Sequence, residues 1–167
     1  GEHLVLVRDT AGEVHAFADA CPRGGAPMSM EACERHGLVW VALEPPRRDI
    51  AGWPDGDDPT LSAFSPEAHT SAILAAYQAD NLLDASHFGF LHPVLADRNP
   101  VIDRHVVDEQ DDLGFRTSLR KLADDGESTE GWLRYTCSAP FTVLLRSEEP
   151  DGALRQSFFQ AVQPIDE

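Results

Sequence analysis

The stretch Asp80-Asn81-Leu82-Leu83-Asp84-Ala85-Ser86-His87-Phe88-Gly89-Phe90-Leu91-His92-Pro93 sets the Asp84 carboxylate and the imidazoles of His87 and His92 at D-x-x-H-x-x-x-x-H spacing in an otherwise apolar run. Neutral imidazole is the commonest protein ligand for first-row metals, and two His with one carboxylate around open positions suit oxygen-activating Fe(II). The pattern predicts a helix over Asp80 to Phe90 and a non-haem iron site at its end. On a regular helix Asp84 and His87 fall about 60° apart, so the carboxylate can orient that imidazole. His92 falls roughly 140° from His87, unlike the i, i+4 pair of a zinc-protease helix. The backbone must therefore change course between the two histidines. Gly89 supplies conformational freedom and Pro93 pushes His92 out of the α region, which places His92 just past the helix end. On spacing alone a second reading stands beside the metal pair, in which both histidines are satisfied within a core of Phe88, Phe90 and Leu91.

Outward from this helix the chain is rich in β-forming runs. Upstream, Leu4 to Val7, Val14 to Ala18 and Leu38 to Leu43 predict the strands of a small β region. A turn-rich, acidic connection follows, from Pro45-Pro46-Arg47-Arg48 to Gly52-Trp53-Pro54-Asp55-Gly56-Asp57-Asp58-Pro59, and marks the domain boundary. The division expected is 1–46 and 47–167. His69 to Tyr77 reads as a strand, with helix an equal alternative for Ala-rich Ala72 to Ala76. Downstream, Val101 to Glu109, Gly114 to Leu122, Gly131 to Ser138 with Phe141 to Arg146, and Leu154 to Val162 predict long antiparallel strands. The turns between them, Asp111-Asp112, Asp124-Asp125-Gly126 and Pro150-Asp151-Gly152, carry hairpin chemistry. An antiparallel sheet packed against helices gives an α+β fold with a concave apolar pocket facing His87 and His92.

Composition narrows the function classes. A chain of 167 residues with 42% apolar content can bury one sizeable core, and no apolar run is long enough for a transmembrane span or a secretory signal. Three cysteines at wide spacing give no disulfide framework and suit a reducing cytoplasm. The net charge of -16, with Lys121 the single lysine, argues against nucleic acid and anionic membrane as partners, because phosphate neutralisation needs clustered Lys and Arg. No nucleophile elbow, phosphate loop, dinucleotide fingerprint or zinc-finger spacing is present.

Asp80-Asn81 followed by Asp84, His87 and His92 resembles the mononuclear-iron motif of the Rieske non-haem iron oxygenases, within the aromatic-ring-hydroxylating group that includes the vanillate O-demethylase-like enzymes. Glu13 to Pro22 and Gly25 to Met30 resemble the strand and first ligand loop of that family's Rieske domain. Glu34 to Pro46 is similar to the strand that leaves it, and Phe158 to Glu167 to a strand of the catalytic domain. The resemblance implies a small β-rich Rieske-like region followed by a catalytic domain of the helix-grip type. It implies His87 and His92 as ligands of a mononuclear Fe(II), Asn81 near the iron, and Asp84 as the carboxylate through which an electron arrives from a neighbouring subunit's [2Fe-2S] cluster. It implies further a reductase or ferredoxin donor, O2 and a small aromatic or alicyclic substrate to be hydroxylated or demethylated, and a homotrimer. Phe88, Phe90, Trp132 and Phe141 are candidates to line a pocket for a planar substrate, with plain core packing as the alternative.

Departures from the family pattern matter equally. A Rieske cluster takes two Cys and two His. Where the family has Cys-x-His, this chain has Cys21-Pro22-Arg23, and arginine offers donors only. Cys33 and His36 have Cys-x-x-His spacing but lack the glycine and turn residues of a ligand loop, which leaves Cys21 as the one cluster-binding candidate. The family's acidic third iron ligand lies on a helix beyond the sheet. The expectation is that these residues are pieces of a longer oxygenase, with omissions at both ends, between Met30 and Glu31, and near Gly126 to Ser128. The rival expectation is a short, degenerate relative that holds no cluster and acts as a non-redox enzyme or a small-molecule binder.

Overall fold

Aspartate-closed turns set the topology. The computed structural model describes residues 3–19, 28–62, 64–65, 67–68, 70–92 and 101–165, less the side chains of Val101 and Arg104. Cys21, Arg23 and Pro93 lie outside the described residues. Two compact units divide the chain, Gly1–Gly52 with Ile165–Glu167, and Trp53–Pro164. Among the described residues the protein is β-rich, with two sheets and few helices.

In the first unit, Asp9 Oδ1 accepts the amide N–H groups of Ala11 and Glu13, each at 2.9 Å, and Gly12 takes a left-handed φ of 89°. This turn folds Leu4–Arg8 (β1) back on Val14–Ala18 (β2). Ser29–Arg35 (β3) and Leu38–Ala42 (β4) complete a four-stranded antiparallel sheet in the order β1-β2-β3-β4. Met30 and Glu31, expected to flank an omission, are successive residues of β3. What changes there is the partner strand: Ser29 and Met30 pair with Phe17 and Ala16, whereas Glu31 to Arg35 pair with Ala42 to Leu38. Ala16 is the unit's fully buried residue among those described, and Val5, Leu6 and Val7 are exposed.

The second unit is built on a five-stranded antiparallel sheet whose order is the chain order: Val101–Asp111 (β5), Gly114–Leu122 (β6), Thr129–Ser138 (β7), Thr142–Glu148 (β8) and Leu154–Ala161 (β9). The predicted hairpins are present. Leu113 donates to Asp111 Oδ1, Glu127 and Ser128 to Asp125 Oδ1, and Ala153 to Asp151 Oδ1, at 2.8 to 3.0 Å, while Gly126 and Gly152 take left-handed φ. Gly126 to Ser128, near which an omission is expected, lie in the β6–β7 turn.

The single helix expected over Asp80 to Phe90 is three pieces. An α-helix spans Ala75–Leu83 (α1), a 3-10 turn Ala85–His87, and a one-turn helix Phe88–Leu91 (α2). The strand expected from His69 is not formed over 71–77, where bends give way to α1 at Ala75. Ala75-Ala76 opens α1 because alanine sacrifices no side-chain entropy in a helix. Asp84 ends it: at φ -78°, ψ 88°, its side chain accepts the Ser86 amide N–H at 3.0 Å and the Ser86 hydroxyl as well. A short polar side chain that bonds its own backbone two residues on competes with the helical ladder and restarts the chain in a new direction.

Strand alternation then separates two sheet faces. Leu119, Leu133, Tyr135, Cys137, Val143 and Leu145 form one buried cluster with Ala85 and Phe88 of the helical segment, backed by Leu82, Leu83 and Phe115. The opposite face is polar and ion-paired. Glu148, 4% exposed, meets Arg134 Nε at 2.7 Å and Arg146 Nη1 at 3.0 Å, and Arg146 Nε reaches Asp55 Oδ2 at 2.9 Å. Trp53 stacks on Phe159 at 5.4 Å and donates its indole N–H to Ser157 Oγ, so the segment around Asp55 is clamped to β8 and β9 on this side.

Candidate functional site

The break at Asp84 builds the site. The 3-10 turn after it carries His87 back toward the carboxylate, leaving His87 Nδ1 3.4 Å from Asp84 Oδ2. His87 keeps 14% of its side-chain surface exposed and Asp84 54%. The serine bonds, followed by the nearby imidazole, hold the Asp84 carboxyl below its ordinary value of 3.8. An imidazole whose Nδ1–H faces a carboxylate presents a lone pair at Nε2, the tautomer a metal requires.

His92 caps the C-terminus of α2 at φ -128°, ψ 64°, outside the helical region, as Pro93 requires. Its amide N–H still bonds the Phe88 carbonyl at 2.8 Å. The turn brings the two imidazoles together with ring centroids 5.3 Å apart and planes at 69°. Phe88 sets its ring edge-on to His87 at 4.9 Å and lies 6.4 Å from His92, forming an apolar wall beside both. Five residues of sequence that would diverge on a straight helix therefore converge. Two imidazole nitrogen donors, one braced by a carboxylate, fit a borderline divalent ion such as Fe(II).

The other candidates scatter. Asn81 lies on the exposed side of α1. Phe88 is buried at 4%, Phe90 is 74% exposed, and Phe141 sits in the β7–β8 turn at a left-handed φ of 73°. Trp132 belongs to the polar sheet face, under the Arg134 guanidinium at 5.1 Å, on the side away from Phe88. In the first unit, Cys33 lies on β3 opposite Trp40, and His36 gives a ring N–H to the Ala51 carbonyl at 2.9 Å. Cys21 lies outside the described residues, and among the described ones Cys33 and His36 point to separate partners, Trp40 across the sheet and the Ala51 carbonyl.

One residue was not anticipated. Tyr135, 1% exposed on β7, shares the buried cluster with Ala85 and Phe88, and among the described residues its hydroxyl is the only buried side-chain polar atom with no hydrogen-bond partner. Burial, then the charges of Cys137 and Asp84, raise its ionisation well above the usual phenol, and burial pushes the Cys137 thiol up to about 11. Both groups stay protonated at neutral pH. The L-x-Y-x-C alternation of Leu133, Tyr135 and Cys137 signals the inward face, but nothing in the sequence signals an unpaired hydroxyl.

The family model for the vanillate O-demethylase oxygenase C-terminal domain matches residues 75–167, more than half of the chain. Methylxanthine N1-demethylase NdmA of Pseudomonas putida is 27% identical over 170 residues, 95% of this chain and 48% of that protein. The putative toluene-4-sulfonate monooxygenase system iron-sulfur subunit TsaM2 of Comamonas testosteroni is 33% identical over 98 residues, 52% of this chain and 28% of that protein. The chain thus spans about half, or less, of the length of these curated relatives. No solved structure matches it. No helix among the described residues is long and apolar enough to cross a membrane. With the family's C-terminal domain running from the start of α1 through the Asp84, His87 and His92 turn to the end of the sheet, the chain belongs to the vanillate O-demethylase family of Rieske-type oxygenases.

Proposed function

We propose that this chain is part of an oxygenase component that hydroxylates or demethylates a small aromatic or alicyclic molecule, with His87 and His92 holding a mononuclear Fe(II). The observation that carries the reading is the convergence of the two imidazoles across the helix break, ring centroids 5.3 Å apart, with Asp84 behind one of them. Iron bound there supplies reductive activation of O2, which needs coordination positions left vacant by few protein ligands. Asp84 keeps His87 in the metal-binding tautomer. Phe88 excludes water from one side of the pair. The half-exposed outer side of Asp84 is where the resemblance brings in electrons from a reductase or ferredoxin. The stack of Ala85, Phe88 and α1 on one face of β6, β7 and β8 supports a helix-grip reading of the second unit. A homotrimer and a cytoplasmic location complete the proposal, the latter in keeping with the free thiols of Cys33 and Cys137.

The decisive experiment measures iron content and turnover in His87→Ala, His92→Ala and the double variant. Each substitution should remove iron and activity while the fold persists. Iron retained in the double variant would sink the assignment. A second reading, a non-redox enzyme or small-molecule binder in the same fold, draws on Arg23 standing where the family has histidine and on the engagement of His36 with Ala51. A brown protein with Rieske-type absorption excludes it, whereas a colourless protein that retains ligand affinity favours it.

A further inference from the structure

The Tyr135 hydroxyl is an anomaly that calls for a partner. A buried hydroxyl left unbonded is costly, and such groups in native proteins are usually met by an enclosed water, an ion or a functional contact. Its neighbours are otherwise engaged. Thr117, opposite it in the β6–β7 register, donates its own hydroxyl to the Val106 carbonyl at 2.6 Å. Leu145, opposite it on β8, is apolar. Ala85 and Phe88, which bracket Ser86 and His87, share its buried cluster, and the Asp84 carboxylate is close enough for its charge to act on the phenol. Of the Asp84 oxygens, Oδ1 already accepts both Ser86 groups, while Oδ2 faces only His87 Nδ1 at 3.4 Å and retains accepting capacity.

We propose that Tyr135 is a positioning residue for the Asp84–His87 pair, donating its phenolic hydrogen through one enclosed water to Asp84 Oδ2. The water would have the hydroxyl as donor and the carboxylate as acceptor, with the Cys137 thiol, two residues along the same strand face, as a weak third neighbour. The arrangement clamps the carboxylate from the sheet side while Ser86 clamps it from the turn side. The rotation of His87 about its ring axis is then fixed by two elements rather than one. This role rests on the reading of His87 and His92 as a metal pair.

The test is Tyr135→Phe, which removes one oxygen and keeps the ring, compared with wild type and His87→Ala by Co(II) titration, followed through the cobalt visible absorption, and by thermal unfolding of the metal-free protein. Loss of an outer partner of a metal-bound imidazole typically costs about 10- to 100-fold in affinity. The expected result is a cobalt affinity lowered by that factor and an altered cobalt spectrum, with the melting temperature unchanged or raised. A raised melting temperature with cobalt affinity and spectrum as in wild type overturns the proposal, since the hydroxyl would then be only an unpaired group. A collapse of melting temperature in parallel with affinity also overturns it, because the role would be general packing. Cobalt binding unaffected by His87→Ala would remove the metal reading itself, and the role of Tyr135 with it.

Discussion

His87 Nδ1 faces Asp84 Oδ2 at 3.4 Å because the helix stops between them, not because it continues. The i, i+3 spacing suggests a shared helical face, yet the contact is made across an aspartate turn. The carboxylate therefore has two duties, accepting the Ser86 amide and facing the imidazole.

These duties separate by substitution. Asp84→Asn retains an oxygen for the Ser86 amide but loses the charge behind His87, so the melting temperature should persist while metal affinity falls by about 10- to 100-fold and turnover fails. Asp84→Ala loses the turn as well and should destabilise the protein by about 1 kcal/mol, the usual cost of a lost cap. Thermal melts, metal analysis and activity on both variants check this. Equal activity in Asp84→Asn and wild type would contradict the assigned role.

Phe88 and Phe90 are two residues apart and differ sharply in burial, 4% against 74%. Phe88→Ala empties the cluster under the turn and should cost about 3–5 kcal/mol, whereas Phe90→Ala should stay within about 0.5 kcal/mol. Urea unfolding of both distinguishes them.

Glu148 is the buried centre of the polar sheet face, held by Arg134 and Arg146. Glu148→Ala leaves both guanidinium groups without this acceptor, and because they are partly hydrated the loss should be about 2 kcal/mol. Glu109, 69% exposed and paired with Arg116, should tolerate alanine at a cost below about 0.5 kcal/mol. Equilibrium unfolding of the two variants decides whether burial sets the difference.

Asp125 gives a pH signature. The Ser128 hydroxyl, then the amides of Glu127 and Ser128, lower its carboxyl from 3.8 to about 2. A depressed carboxylate stabilises the fold above its unfolded value, and that contribution fades as pH falls through the folded value. Wild type should melt above Asp125→Asn at about pH 6, with the gap closing as pH falls from about 4 to about 2. A gap constant with pH would contradict this.

Thiol chemistry offers a further check. Cys137 is 9% exposed with its thiol pushed up to about 11, so it should resist alkylation at neutral pH until the protein unfolds, while exposed Cys33 reacts in the native state. Peptide mapping after native labelling reads both sites.

The sequence pattern made the hairpins, the placement of His92 and the inward stripe on β7 legible, because each follows from a local rule: Asp and Gly in turns, Pro after His92, alternation in a strand. The break at Asp84 was less visible, since Leu82 to His87 fits helical periodicity and only the side chain's bond to Ser86 stops it. β3 was missed because an omission was expected between Met30 and Glu31 and because Ser29 to Arg35 has no β-branched or aromatic residue, and its identity as a strand comes from being shared between two partners. Trp132 was a pocket candidate by residue type. Counting by twos from Leu133 would have put it on the opposite face, but which face the helix covers is a tertiary outcome.

The recurring aspartate turns change the meaning of the composition. Asp9, Asp58, Asp84, Asp111, Asp125 and Asp151 each accept the amide two residues ahead. Part of what looks like an acidic coat is thus joinery. Asparagine offers the same oxygen, so Asp9, Asp58, Asp111 and Asp151 form a ready-made set at which the isoelectric point can be moved toward neutrality while the turns they close keep their bracket.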